Sequence, residues 1–328
     1  MAQSFIHFVA PTARNGYRAN RATPAEPRCD RLIARSVRTE QVTLAVSSSG
    51  KNFVFVDEEE PAFVPMWREV FTGVDWLRLR ADRVFYGLGV TRGNGAGVVT
   101  VPGFLGSDIY LREMNFWLRR IGYTARRSNI GLNMDCPDIL ADHLLQTVER
   151  TCDETGQPVH LIGHSLGGML SRAVARFAPE LIGSVITLGS PFRGIRSHPR
   201  VLRTGDFVRR RIEARQHERP AHKPMQDSCF SGACNCQFAE ALRSGLPDSI
   251  PQTAVYTKTD GVVEWSVCIT GDPTIDVEVR GTHCGLAFNA AVYRIISERL
   301  AAATEGAAQP VPTSSPAKHN LSPSPSQS

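Results

Sequence analysis

Six consecutive residues constrain this chain more than any others: Gly163-His164-Ser165-Leu166-Gly167-Gly168. The segment before them, Pro158-Val-His-Leu-Ile-Gly163, reads as a buried strand, and Gly168 to Phe177 reads as a helix. A serine between the two must sit on a sharp, strained strand-to-helix turn. Such a turn forms only if its neighbours are small. The serine Oγ then stands above the carboxyl edge of a sheet, at a helix N-terminus that favours developing negative charge. The plainer alternative is an N-cap serine at a glycine-rich helix start.

The surrounding pattern is a regular alternation. Strands are predicted at Val98–Val101, Tyr123–Ser128, Val159–Gly163, Ile182–Leu188, Thr253–Tyr256 and Ile275–Val279. Helices are predicted at Asp108–Ile121, Pro137–Asp153, Leu166–Phe177 and Gly285–Ala303. In the second of these, His143 falls on the apolar face and reads as a core histidine. Further upstream, Pro65–Leu79 reads as a helix with apolar Met66, Val70, Phe71 and Val74. Gln41–Val46 and Asn52–Val56 read as short strands joined by a Ser/Gly turn. Strands alternating with helices imply an α/β fold, a mostly parallel sheet with helices on both faces.

Domain boundaries follow from composition. Residues 1–60 form an Arg-rich, partly irregular N-terminal arm, and 61–303 a catalytic domain. Residues 304–328, mostly Ala, Pro, Ser, Thr and Gln, form a tail expected to be disordered. About 60 residues without strand character separate Leu188 from Thr253. An insertion of that size in a regular alternation reads as a cap, at about 192–250.

A serine alone is inert; it needs a general base, and the base needs an orienting acid. His198, His217 and His222 lie in the insertion and His319 in the tail, which leaves His283, between the last strand and the final helix. For the acid, Asp260 opens an Asp-Gly turn just past Thr253–Tyr256; Glu264 and Asp272 are rivals farther from the strand end, and Asp276 lies within the last strand. An acyl-transfer site also needs backbone donors for an oxyanion. The N–H of Leu166 is one. The loop Pro102-Gly103-Phe104-Leu105-Gly106 supplies the other, with Phe104 as the expected donor.

The formal net charge of +5 is unevenly spread. Met1–Glu40 carries seven Arg against three acids, and Arg193–Lys223 nine Arg and one Lys against three acids, so the rest of the chain is acidic. That distribution excludes a uniform nucleic-acid coat, and no nucleic-acid partner is expected. Basic residues in the cap are compatible with peripheral contact with an anionic lipid surface, or with a solvated face. No apolar run approaches a bilayer span and no secretory signal is evident, so a cytoplasmic location is expected. The eight Cys are too sparse for a disulfide scaffold. Cys229, Cys234 and Cys236 cluster near His222, but their C-x4-C-x-C spacing is not that of a zinc finger, and disulfide or free thiol is the expected state. Cys268 and Cys284 flank the acid and base loops, where a bridge would pin the base.

Taken together, Pro102–Gly106, Gly163–Gly168, Leu188-Gly-Ser-Pro-Phe-Arg-Gly194, Thr259-Asp260-Gly261 and Gly281-Thr-His283 resemble the α/β-hydrolase superfamily, and within it the serine lipases and esterases. The resemblance covers about residues 95–303, and Pro102 stands where such lipases often carry His. It implies an eight-stranded, mostly parallel sheet, a Ser165–Asp260–His283 triad, and hydrolysis of an ester or lipid substrate through an acyl-enzyme. It implies no metal and no organic cofactor. An acyltransferase on the same residues and a non-catalytic binding module on the same scaffold are the alternatives. Composition leaves the oligomeric state unknown.

Overall fold

The computed structural model describes residues 64–219, 223–224 and 234–308. Six parallel strands form one sheet: β1 (Gly97–Val101), β2 (Thr124–Arg127), β3 (Val159–His164), β4 (Ile182–Leu188), β5 (Gln252–Tyr256) and β6 (Asp276–Glu278), in the order β2-β1-β3-β4-β5-β6. The helices are α1 (Thr72–Ala81), α2 (Arg112–Arg120), α3 (Pro137–Thr155), α4 (Leu166–Phe177), α5 (Pro199–Ala214), α6 (Gln237–Ser244) and α7 (Ala290–Ala308). The α/β class and the parallel sheet are as expected. The count of eight strands is not: the described residues contain six, and Gln41–Val46 and Asn52–Val56 lie outside them.

The period of two in each strand explains the layers. Val99, Val101, Leu161, Val185 and Ala254 face one core with residues of α3, α4 and α6. Val98, Ile162, Ile186, Leu188 and Val255 face the other, with Leu79, Trp117, Val292 and Ile296 from α1, α2 and α7. Strands buried on both sides are near-continuously apolar, which is why β3 and β4 read clearly in the sequence.

Three expectations need correction. His143 is exposed, because its place on α3 falls between the buried residues Ala141 and Leu144 rather than among them. The final helix does not start at Gly285. A 3-10 turn spans Cys284–Phe288, and Asn289 then accepts the N–H of Ala291 at 2.9 Å, capping a fresh helix at Ala290. That helix runs to Ala308, past the point where a disordered tail was expected to begin. The helical reading of 65–79 holds as a 3-10 turn (Met66–Phe71) followed by α1, but its apolar side chains are largely outside: Val70, Phe71 and Val74 are all exposed.

β1 and β3 are neighbours although β2 lies between them in sequence, so the chain reverses its direction of growth there. The crevice at the carboxyl ends of strands beside such a reversal is where open α/β sheets place their sites. The loops after β1, β3, β5 and β6 carry Phe104, Ser165, Asp260 and His283 in turn.

Candidate active site

The turn after β3 is as strained as the sequence demands. Ser165 has φ 51° and ψ −124°, one of three non-glycine residues with positive φ among the described residues. Its N–H donates to the Leu188 carbonyl at 2.8 Å, pinning the turn to β4. Two of the glycines are required by close approach. A Cβ on Gly163 would run into the backbone of Gly167 and Gly168, and one on Gly168 into Ser190. No larger residue fits while α4 leaves β3 at this angle.

Ser165, Leu166, Phe104 and His283 line one cavity of about 980 Å³. Asp260 lies behind His283, buried, and its Oδ2 meets His283 Nδ1 at 2.6 Å. The other oxygen, Oδ1, accepts the N–H groups of Val262 and Val263, each at 2.8 Å. The Asp-Gly turn therefore folds around the carboxylate and leaves one oxygen aimed at the imidazole. The rival acids are engaged elsewhere. Glu264 pairs with Arg196 at 2.9 Å, Asp272 accepts from Thr274, and Asp276 accepts from Thr270 and Gly271.

Electrostatics at His283 are a contest. Burial disfavours its charged form, but the charge and hydrogen bond of Asp260, with a further contribution from the Glu69 carboxylate, raise its pKa above the ordinary value of 6.5. His164 behaves oppositely. Burial, helped by His283, drives it down to about 3, so it is neutral near pH 7. As a neutral ring it donates from Nε2 to the His283 carbonyl at 3.0 Å. Tyr110 donates its hydroxyl to the Cys284 carbonyl at 2.7 Å. These two fix the carbonyl side of the base loop.

At the candidate oxyanion site, neither the Phe104 N–H nor the Leu166 N–H has a protein acceptor among the described residues. Both belong to residues that line the cavity beside Ser165. Asn133 shapes the first of the two loops. Its amide donates to the Pro102 carbonyl at 2.8 Å, its N–H to the Gly106 carbonyl at 2.9 Å, and its carbonyl accepts the Leu105 N–H at 2.9 Å. Leu105 is held at φ 58° by this clamp.

Sequence reasoning missed Asn133, Tyr110 and Glu69. None carries a motif, and each acts on a loop distant in sequence, so only the fold reveals it. Glu69 accepts hydrogen bonds from both the acid turn and the base loop.

Between β4 and β5 lie α5 and α6, and both contribute to the cavity wall. Lys223, buried, anchors this region to α3: its Nζ lies 3.0 Å from Asp138 Oδ2 and 2.9 Å from Asp142 Oδ1. Asp138 also accepts the Phe238 N–H at 2.9 Å, at the start of α6. The cysteines differ from one expectation: Cys268 and Cys284 are both free thiols, as are Cys234 and Cys236. Cys268 sits buried at the end of a 3-10 turn, its thiol directed at the Glu264 carbonyl, whereas Cys284 lines the cavity. His222 and Cys229 lie outside the described residues. Among the described residues no three Cys, His, Asp or Glu are grouped so as to hold a metal ion, and no helix is long and apolar enough to cross a membrane.

Known proteins resemble parts of this chain. Residues 106–241 match the family model of palmitoyl protein thioesterase, a stretch that contains Ser165 but stops short of Asp260 and His283. The chain is similar to that family over this stretch, which is less than half of its length. A triacylglycerol lipase of Pseudarthrobacter phenanthrenivorans is 37% identical over 107 residues, covering 30% of this chain and 33% of the relative. Another, from Burkholderia plantarii, is 37% identical over 107 residues, covering 30% of each chain. The matched region thus spans about a third of the length of these curated relatives. Among solved structures, the mature lipase of Bacillus licheniformis is 15% identical, covering 64% of this chain and 94% of its own, with a TM-score of 0.44.

Proposed function

We propose that this α/β-hydrolase cleaves carboxylic esters through an acyl-enzyme on Ser165. The observation that carries the proposal is the 2.6 Å contact of Asp260 with His283 beside a serine held at positive φ. His283 takes the Ser165 proton through Nε2 as Oγ attacks the ester carbonyl. Asp260 holds the proton on Nδ1 and stabilises the imidazolium. The N–H groups of Phe104 and Leu166, which lack protein acceptors, receive the oxyanion. His283 then protonates the leaving alcohol, and water, activated by the same imidazole, releases the acid.

The cavity supports an extended acyl chain. It is about 980 Å³, at the upper end of the range for small-molecule sites, and is lined by Leu105, Met169, Ile195, Leu242 and Val263 among others. Helices α5 and α6 act as a cap over it. The partial match to the thioesterase family favours a second substrate class, acyl thioesters, on the same residues.

A series of p-nitrophenyl esters of increasing acyl length, run beside a palmitoyl thioester and with a competing alcohol present, tests this. Turnover of medium to long acyl esters is expected, lost in Ser165→Ala. Transfer to the alcohol in preference to water would favour an acyltransferase. Undiminished ester turnover by folded Ser165→Ala would refute the assignment.

A further inference from the structure

Glu69 stands about 190 residues upstream of the acid turn, in the 3-10 turn Met66–Phe71 ahead of α1, and belongs to no motif. Its carboxylate nevertheless joins the two loops on which the candidate acid and base sit. Oε1 accepts the N–H of Gly261 at 3.2 Å and that of His283 at 3.0 Å, and Oε2 accepts the N–H of Cys284 at 2.9 Å. The donors are the residue after Asp260, the base itself and the residue after the base. Three N–H groups from two loops converge on one half-buried side chain. Gly261 makes room for it: a Cβ there would lie 3.2 Å from Glu69 Oε1 and 3.3 Å from Met66 Cα.

From this convergence we infer that Glu69 is a positioning residue for the Asp260–His283 pair, holding the base loop against the acid turn and adding a second negative charge beside the imidazole. The inference rests on the reading of Ser165 and His283 given above. A carboxylate suits the role because it is acceptor-only, with two oxygens for three donors. Glutamine offers one oxygen, and its NH2 must face an N–H. The carbonyl side of the same loop is held by His164 and Tyr110, so both peptide edges at His283 are fixed. The loop cannot shift relative to Ser165 without breaking hydrogen bonds on both edges. Near-attack geometry is sensitive to such shifts: a displacement of about 1 Å can cost on the order of a hundredfold in rate.

The charge of Glu69 favours the imidazolium, in the same sense as that of Asp260. The other titratable groups around the pair are His164 from β3, Tyr110 from the loop before α2, Cys268, Cys284 and, on α1, Asp75. The charge of Glu69 also raises the pKa of Asp75, Tyr110 and Cys284, so its loss lowers those three in the same sense as His283.

The test compares the full-length wild type, Glu69→Gln and Glu69→Asp on the best p-nitrophenyl ester. It reads kcat and KM separately and follows kcat/KM against pH, with thermal melts to confirm folding. In Glu69→Gln, kcat is expected to fall by roughly ten- to a hundredfold with KM little changed, and the acid limb to move to lower pH. In Glu69→Asp, which keeps the charge on a shorter arm, kcat falls less and the acid limb stays in place. A folded Glu69→Gln with wild-type kcat and an unmoved acid limb overturns the inference. If Glu69→Gln does not fold, Glu69→Asp decides: lowered kcat with an unmoved limb supports it, and wild-type kcat overturns it. A wild type that turns over no ester removes the hydrolase reading and this inference with it; an active wild type with indifferent variants removes this inference alone.

Discussion

Replacing Asp260 by Asn probes the candidate site most sharply, because the structure fixes how the new amide must lie. Oδ1 of Asp260 accepts two backbone N–H groups at 2.8 Å, from Val262 and Val263. An asparagine must present its own oxygen to them. Rotating the amide would set NH2 against both donors and leave each unpaired, at about 1–3 kcal/mol apiece. The NH2 is therefore directed at His283 Nδ1, where the carboxylate oxygen now sits at 2.6 Å. A donor there forces Nδ1 to accept, so the imidazole proton moves to Nε2. That tautomer cannot take the proton of Ser165. The equivalent substitution in a serine protease triad costs about 10⁴ in kcat. On that scale the loss is ~5.4 kcal/mol of transition-state stabilisation, at 1.36 kcal/mol per tenfold. Initial rates on a p-nitrophenyl ester, with a thermal melt as control, measure it. A folded Asp260→Asn with kcat within tenfold of wild type would refute the reasoning.

Other expectations follow from single contacts. Asn133→Ala removes the amide that holds the Pro102 carbonyl and should lower kcat by roughly ten- to a hundredfold with little change in KM, checked by ester kinetics. Gly168→Ala drives a Cβ into Ser190 and should cost on the order of 3 kcal/mol or more, read as a lowered Tm; an unchanged melt would contradict the packing described for the serine turn. In the proposed mechanism the general base is the neutral imidazole, so kcat/KM should rise with pH through the pKa of His283. Because that pKa is raised, the midpoint should lie above 6.5, and a midpoint below it would count against His283 as the base.

The sheet was legible in the sequence because its strands are buried on both faces. Val98–Val101 and Ile182–Leu188 are mostly apolar, β-branched-rich runs, as strands covered on both faces require. The serine turn was legible because close contact excludes side chains there: Gly163 and Gly167 face backbone and Gly168 faces Ser190. Asp260 could be singled out by its place after a strand, but its distinction from Glu264 and Asp272 needed the folded chain, which shows the rivals held by Arg196 and Thr274. His143 was misread because an apolar spacing averaged along α3 does not fix the facing of each residue. The supporting groups were invisible for a different reason. Glu69, Tyr110 and Asn133 hold backbone atoms of loops distant in sequence, and a hydrogen bond to a peptide group leaves no trace in the residue types on the other side.

Labelling with a fluorophosphonate probe, followed by peptide mass mapping, tests the central claim directly. The wild-type chain should gain one adduct, on the peptide containing Ser165 and at that residue, with labelling slowed in Asp260→Asn and absent in Ser165→Ala. Folded wild-type protein that takes up no probe, or an adduct on any other serine that persists in Ser165→Ala, would contradict the account.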